Sequence, residues 1–301
     1  MSRVLVVDAL LDDLPGAIAA HVLPGTEPVL VDPGPATTLP RLREALEEAG
    51  LPLRDIRHVV VTHVHLDHAG AAGHLALEDP RRIIHVHEEG ALHLADPERL
   101  VASTRRTFGE AHDRLWGEVR PVPSRQLRGW RPGDPGRIPG LRPLATPGHI
   151  PHHLAFLDEA EGLLFAGDAL GIILDREAPV HPATPPPGVD LRAWLSTLDE
   201  IQGVGPEAVA LTHFGVHPDA HARADELRTG LLALADRAEE ALAGGRDEED
   251  AEAFDREARE RLAGHLPRER VDRYLDIFSA ASDYRGVLRY VRKNPGWRAR
   301  S

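Results

Sequence analysis

Apolar and β-branched residues open the chain in short alternating runs. Residues 3–8, 17–23 and 29–32 follow this pattern with Pro-Gly turns between them, and together they predict an antiparallel meander. The period then changes. Leu42, Ala45, Leu46 and Ala49 recur at helical spacing within residues 41–49, and Gly50 follows as a C-terminal stop. The uninterrupted Val59-Val60-Val61 within residues 57–62 predicts a buried strand, which runs into His63-Val64-His65-Leu66-Asp67-His68. Residues 83–87 predict another short strand. Residues 88–118 are mostly helical, with Leu92, Leu100, Phe108, Leu115 and Trp116 as apolar positions, and the Pro/Gly/Arg-rich residues 121–139 are loop. Strands resume at 141–145, 154–157 and 163–166. A proline-rich extended stretch (179–188), an amphipathic helix (191–201) and a strand (208–211) come next. From Pro218 onward the pattern is long helices, broken near Gly244-Gly245 and Gly264.

The strands fall into two groups, each leading to a Thr-His step: Thr62-His63 and Thr212-His213. This hints at a duplicated β-rich half. With helices between and after the strands, the order fits an α+β chain of two sheets packed face to face, with helices outside. The division expected is a body at residues 1–217 and a helical extension at 218–301. The extension's apolar positions (Leu266, Val271, Leu275, Ile277, Phe278, Val287, Leu288 and Val291) need a covering surface, either in the same chain or in a homodimer. Residues 246–262 are so charged that they read as a solvated helix.

Composition narrows the partners. A chain of 301 residues with 42% hydrophobic residues can form one large domain with an appendage. A net charge of −13 argues against nucleic acid and against an anionic membrane surface. The absence of cysteine excludes disulfides and thiolate metal ligands. Residues 1–11 lack the form of a signal peptide, and no apolar run approaches a membrane span, so a cytoplasmic protein is expected. Histidine stands out, with 18 residues.

Some of those histidines have ligand spacing. On a strand, residues i and i+2 share a face, so His63 and His65 can aim at one ion. Beyond the strand end, Asp67 and His68 can aim at a neighbouring point. Imidazole and carboxylate are the ligands zinc takes when no thiolate is available. Thr146-Pro147-Gly148-His149, Gly167-Asp168 and Thr212-His213 each follow a predicted strand, where loops gather at one edge of a sandwich.

This ordered set, H-x-H-x-D-H followed by a distant His, an Asp and a final His, resembles the signature of the metallo-β-lactamase superfamily over roughly residues 1–215. The resemblance implies a four-layer αββα sandwich. It also implies two Zn2+ per chain, with Fe or Mn as alternatives: one on His63, His65 and His149, the other on Asp67, His68 and His213, with Asp168 bridging. The Thr-Pro-Gly-His form is similar to the glyoxalase II, lactonase and persulfide dioxygenase branches. The expected activity is a dinuclear metal-dependent hydrolase that uses a metal-bridging hydroxide to cleave a small thioester, ester or lactone. Asp67 serves both as ligand and as the catalytic group that orients the hydroxide or passes a proton. An iron oxygenase of the persulfide dioxygenase type, a phosphodiesterase and a non-catalytic metal-binding scaffold with a partner-docking tail are the alternatives.

Other residues are read more plainly. Asp32, in Val31-Asp32-Pro33-Gly34, resembles the family's carboxylate behind the ligands, and it also suits turn initiation before Pro-Gly. His153 lines the pocket or is a hydrogen-bonded structural residue. His85 and His87 are read as structural, and His152, His181, His217 and His221 as loop or surface. Phe108, Trp116 and Trp130 either wall a pocket or pack the extra helices. Tyr284, Arg285, Arg289, Arg292 and Lys293 could serve an anionic substrate. Tyr274, Tyr284 and Tyr290 all lie in the C-terminal segment, which weakens a lactonase reading that asks for a tyrosine near the metals.

Overall fold

The three opening runs pair in sequence order as β1 (Leu5–Asp8), β2 (Ala19–Leu23) and β3 (Val29–Val31), an antiparallel meander as expected. The computed structural model describes residues 4–131, 133–134 and 137–299. Arg3 of the first expected strand, Pro132, Pro135 and Gly136 of the expected loop, and the terminal Met1, Ser2, Arg300 and Ser301 lie outside the described residues. Helix α1 (Leu39–Glu48) carries the chain to β4 (His58–Val60), which lies parallel to β3 with Val31 opposite Val60. A single turn, α2 (Leu66–Ala69), and α3 (Ala72–Glu78) precede β5 (Ile83–His87), which is parallel to β4.

The stretch expected to be one mostly helical segment is three helices: α4 (Glu88–Ala95), α5 (Glu98–Phe108) and α6 (His112–Trp116). Pro97 stands at the start of α5, and Gly109 and Gly117 take positive φ at the later breaks, so the backbone turns where a continuous helix cannot. Leu92, one of the apolar positions of this stretch, is exposed. The expected loop at 121–139 contains β6 (Leu127–Trp130), parallel to β5. Its composition hid it for a tertiary reason. Gly129 lies against the backbone of Glu88, where a Cβ would come within 2.9 Å of its Cα.

The second sheet repeats the first. Strands β7 (Leu141–Ala145), β8 (Leu154–Asp158) and β9 (Leu163–Phe165) form an antiparallel meander, and α7 (Leu191–Val204) leads to β10 (Ala208–Leu211), parallel to β9. The order of connections is that of β1, β2, β3, α1 and β4, so the duplication hinted at by the two Thr-His steps is present in the topology. Strand β11 (Gly215–Pro218), not anticipated, returns antiparallel along β10 and makes the sheet edge, where a terminal proline is tolerated. Among the described residues the sheets have six and five strands.

Valines 59–61 explain the layering. Val59 and Val61 join Leu42, Leu46 and Leu75 in the core outside the first sheet, whereas Val60 joins Phe156 and Phe165 between the sheets. Outside the second sheet, Leu164 and Leu211 share one core with Trp194 of α7 and with the C-terminal helices α8 (Ala220–Gly244), α9 (Asp247–Ala263), α10 (Arg268–Ile277) and α11 (Ala280–Lys293). The result is four layers in αββα order plus a helical C-terminal region. The apolar positions of that region, Val271, Leu275 and Val287 among them, pack on the body of the same chain. No helix among the described residues is long and apolar enough to cross a membrane.

Candidate metal centre

Loops after four strands and one helical turn meet at one edge of the sandwich. Strand β4 ends at Val60, so the alternation expected to align His63 and His65 is already over before them. What carries them is a loop tied across the sandwich: Val61 N–H donates to His85 O (2.8 Å), and Leu154 N–H donates to Thr62 O (2.9 Å). His65 precedes the turn α2, which presents Asp67 and His68. Asp168 follows β9, and His213 follows β10. His149 sits after Gly148, whose φ of 147° and close approach to α7 leave no room for a side chain. A Cβ there would come within 2.4 Å of Trp194. Gly148→Ala is therefore expected to displace His149 and to destabilise the fold by about 1–3 kcal/mol, as measured by urea unfolding.

The seven residues form two groups. His63, His65, His149 and Asp168 offer ligand atoms within 4.8 Å of one another, and so do Asp67, His68 and His213. Asp168 faces both groups. Its Oδ2 is 3.4 Å from His149 Nε2 and 3.9 Å from His63 Nε2, while its Oδ1 is 3.3 Å from His68 Nε2 and 3.9 Å from His213 Nε2. His65 Nδ1 lies 3.0 Å from His63 Nε2 and 2.9 Å from His149 Nε2, a crowding of ring nitrogens that needs a proton or a cation between them. His68 Nε2 and Asp168 Oδ1, 3.3 Å apart, are buried with no other partner among the described residues. Buried polar atoms are seldom left so, and a cation would satisfy both.

The outward nitrogens set the inward lone pairs. His68 Nδ1 donates to Asp32 Oδ2 (2.8 Å), His149 Nδ1 to Ala183 O (2.6 Å) and His213 Nδ1 to Ala17 O (3.1 Å). Each bond places the proton of the neutral ring on Nδ1 and turns Nε2 into the site, where its lone pair is available to a cation whenever the ring is neutral. Asp32 also accepts from Thr62 N–H (2.8 Å), Thr62 Oγ1 (2.7 Å) and Thr212 Oγ1 (2.9 Å). The threonines of both Thr-His steps thus converge on one buried carboxylate. His153 accepts from Asp168 N–H (3.2 Å) and donates to Thr146 Oγ1 (2.7 Å), which makes it a structural support for Asp168.

Several expectations change. Tyr274, counted as remote, brings its hydroxyl within 3.2 Å of His213 Nδ1, and Phe278 packs edge-on against the same ring at 4.8 Å. Sequence carried no signal for this contact, since Tyr274 and His213 are 61 residues apart. His181 and His217, expected on loops or the surface, are buried: His181 bonds Asp283 (3.2 Å), and His217 donates to Phe214 O (2.7 Å). His221 is exposed, and His152 is half-buried against His93. His85 accepts from Trp130 Nε1 (3.1 Å), and His87 caps α4, both structural as expected. Trp130 lies between the sheets against Phe156, while Trp116 packs with Phe108 and Phe278. Arg285 and Arg292, considered for an anionic substrate, are engaged with Glu248, Glu252 and Asp247 of α9.

The electrostatics suit a cation. Burial, reinforced by the neighbouring histidines, holds His63 well below the usual imidazole range, and burial together with His149 takes His65 to about 3. Burial would raise Asp67, but His68 and His213 outweigh it and bring it to about 2. Asp168 is likewise held low against burial, by His68 and His149. His68 moves the other way: burial opposes its charge, but Asp168, Asp67 and Asp32 together raise it well above the ordinary value. Ionised carboxylates and imidazoles with inward nitrogens, His68 once it gives up its proton, are a donor set for zinc, iron or manganese.

Comparison with known proteins agrees with this geometry. The Metallo-beta-lactamase superfamily model matches residues 14–213. The chain is 29% identical over 143 residues to the uncharacterized protein YobT of Bacillus subtilis, a match covering 48% of this chain and 57% of that protein. It is 30% identical over 113 residues to Thioesterase pkgB of Emericella nidulans, covering 38% of this chain and 24% of that protein. It therefore spans less than two thirds of the length of each of these curated relatives. Among solved structures, metallo-beta-lactamase family protein TTHA1429 from Thermus thermophilus superposes with a TM-score of 0.63 at 26% identity, over 92% of this chain and 88% of that one. These matches do not single out the glyoxalase II-like branch. With the family model spanning most of the chain and the sandwich complete, this protein belongs to the metallo-β-lactamase superfamily.

Proposed function

We propose that the chain is a two-metal hydrolase of a small thioester, ester or lactone. His63, His65 and His149 would hold one divalent cation and Asp67, His68 and His213 the other, with Asp168 shared. The observation that carries this reading is Asp168, a single buried carboxylate with one oxygen turned to each ligand group. Zinc is the expected metal, with iron or manganese as alternatives that the same imidazole and carboxylate donors accept. When bound, the pair would supply water ionised near neutral pH and an electrophile for the scissile carbonyl. Asp67 and His65 are the least enclosed of the seven, so substrate would approach over them. Asp67, ionised at any pH near neutral, can accept a hydrogen bond from the attacking water and orient it. The likeness to Thioesterase pkgB supports a thioester first. The net charge of −13 favours a small molecule over nucleic acid.

The test is metal content per chain by elemental analysis, paired with a panel of thioester, ester, lactone and phosphodiester substrates. Uptake of about two zinc ions with turnover of one acyl class is expected. One iron per chain without hydrolysis would move the protein to the oxygenase class. Full zinc loading without turnover of any substrate would favour a scaffold.

Metal binding should also displace a proton. The metal-free site favours the protonated form of His68, because Asp168, Asp67 and Asp32 raise its pKa above the ordinary value of about 6.5. That charge stabilises the metal-free fold below about pH 6.5, and the contribution is lost as pH rises through the raised value. Zinc takes the same Nε2, so calorimetry at pH 7 in two buffers of different ionisation enthalpy should show net proton release. Equal heats in both buffers would contradict it.

A further inference from the structure

The C-terminal helix α11 holds a buried carboxylate that the hydrolytic reading leaves without a role. Asp283 Oδ1 accepts from Thr184 N–H (2.9 Å), its Oδ2 accepts from His181 Nε2 (3.2 Å), and its backbone carbonyl accepts from Thr184 Oγ1 (2.9 Å). All three residues are buried. Three residues further on, Gly286 lies directly on the same stretch, where a Cβ would come within 1.8 Å of Thr184 O. The segment held in this way, residues 181–184, is tied at its other end by paired backbone bonds of 2.9 Å between His181 and Ile172, four residues after Asp168. Between the two anchors lies Ala183, whose carbonyl accepts the 2.6 Å bond from His149 Nδ1.

A buried carboxylate is costly, and apolar packing alone would seat α11 on the body. What apolar packing cannot do is fix the direction of one carbonyl in an irregular segment. Asp283 does this by binding the amide next to Ala183. The bond to Ala183 in turn decides which nitrogen of His149 carries the proton and where its other lone pair points. We infer that Asp283 is a positioning residue for His149, reaching it through Thr184 and the Ala183 carbonyl from 134 residues further along the chain. The inference rests on the reading of His63, His65 and His149 as one metal pocket. The helical region thereby stands behind His149 through Asp283, as it stands behind His213 through Tyr274.

The experiment uses the full chain, stripped of metal. Stepwise zinc affinities are read by chelator competition, and the cobalt-substituted protein by its visible spectrum. Asp283→Leu is expected to weaken one of the two binding steps by about 10–100-fold and to change the cobalt bands, with the other step within about twofold. Thr184→Val, which keeps its shape and loses one bond of the three, should weaken the same step by about 10-fold, and it decides the matter if Asp283→Leu does not fold. Tyr284→Phe loosens the same helix by removing a 2.6 Å bond to Asp250 without touching residues 181–184, and it should leave both steps unchanged. Wild-type affinities and bands in a folded Asp283→Leu or Thr184→Val would overturn the inference, as would an equal weakening in Tyr284→Phe. A wild-type chain that takes up no zinc would instead overturn the metal-centre reading, and this inference with it.

Discussion

Asp168→Asn is expected to lower kcat/KM by at least about 10²–10³-fold and to leave the purified chain with less than its full metal complement. The substitution keeps the shape of the side chain. It removes the charge that faces both ligand groups at once, one oxygen 3.4 Å from His149 Nε2 and the other 3.3 Å from His68 Nε2. The other carboxylates at the centre lie to one side: Asp67 is 3.1 Å from His213 Nε2 and 3.5 Å from His68 Nε2, and Asp32 lies behind His68. The fold should survive, because the Asp168 backbone is held by His153 and its neighbours Ala166 and Gly171 bond within the same turn. Elemental analysis and kcat/KM on the same sample, with circular dichroism to establish folding, are the measurements. A variant with full metal and wild-type turnover would remove Asp168 from the centre.

Asp32→Ala should be the most damaging single change to stability, at about 3–5 kcal/mol. Four donors point at this one buried carboxylate: the Thr62 amide, the Thr62 and Thr212 hydroxyls and His68 Nδ1. Truncation removes the shared acceptor of all four and one of the ties between the two halves of the duplicated sandwich at the metal edge, the bond from Thr212. Asp32 also has a positive φ of 49°, where an alanine is strained and an aspartate is more readily accepted. Urea unfolding at pH 7 measures the loss, and a change below about 1 kcal/mol would contradict the prediction. Burial raises the Asp32 carboxyl, but His68 and Thr62 outweigh it, so its folded pKa lies below the ordinary value. A depressed acid stabilises the fold above its unfolded pKa of about 3.9, and the contribution is lost as pH falls through the lower folded value. The wild type should therefore weaken steeply in acid, and Asp32→Ala should lose that part of the slope.

The seven ligand-type residues are legible as candidates because metal chemistry admits few side chains, and the segments that carry them come after runs whose period marks a strand. Asp32 was visible only as a carboxylate after a strand, with turn initiation as an equally good account. His153 could be assigned either way until its two ring nitrogens were seen bonded to Thr146 and Asp168. The strands β6 and β11 were missed where glycine, proline and arginine outweighed pairing that only a neighbouring strand provides.

The amino-acid sequence alone determined the two-sheet order, the duplicated Thr-His steps and the kind of atoms that meet at the edge, because periodicity and side-chain chemistry are local properties. Tertiary structure decided which groups stand behind those atoms. The acceptors for His149 and His213 are the backbone carbonyls of Ala183 and Ala17, and every residue carries such a carbonyl, so no residue type announces the role. The approach of Tyr274 to His213 and the hold of Asp283 on residues 181–184 arise only when the C-terminal helices cover the outer face of the second sheet. That placement follows from burying one shared core, which is a non-directional demand met by the whole chain rather than by any segment of it.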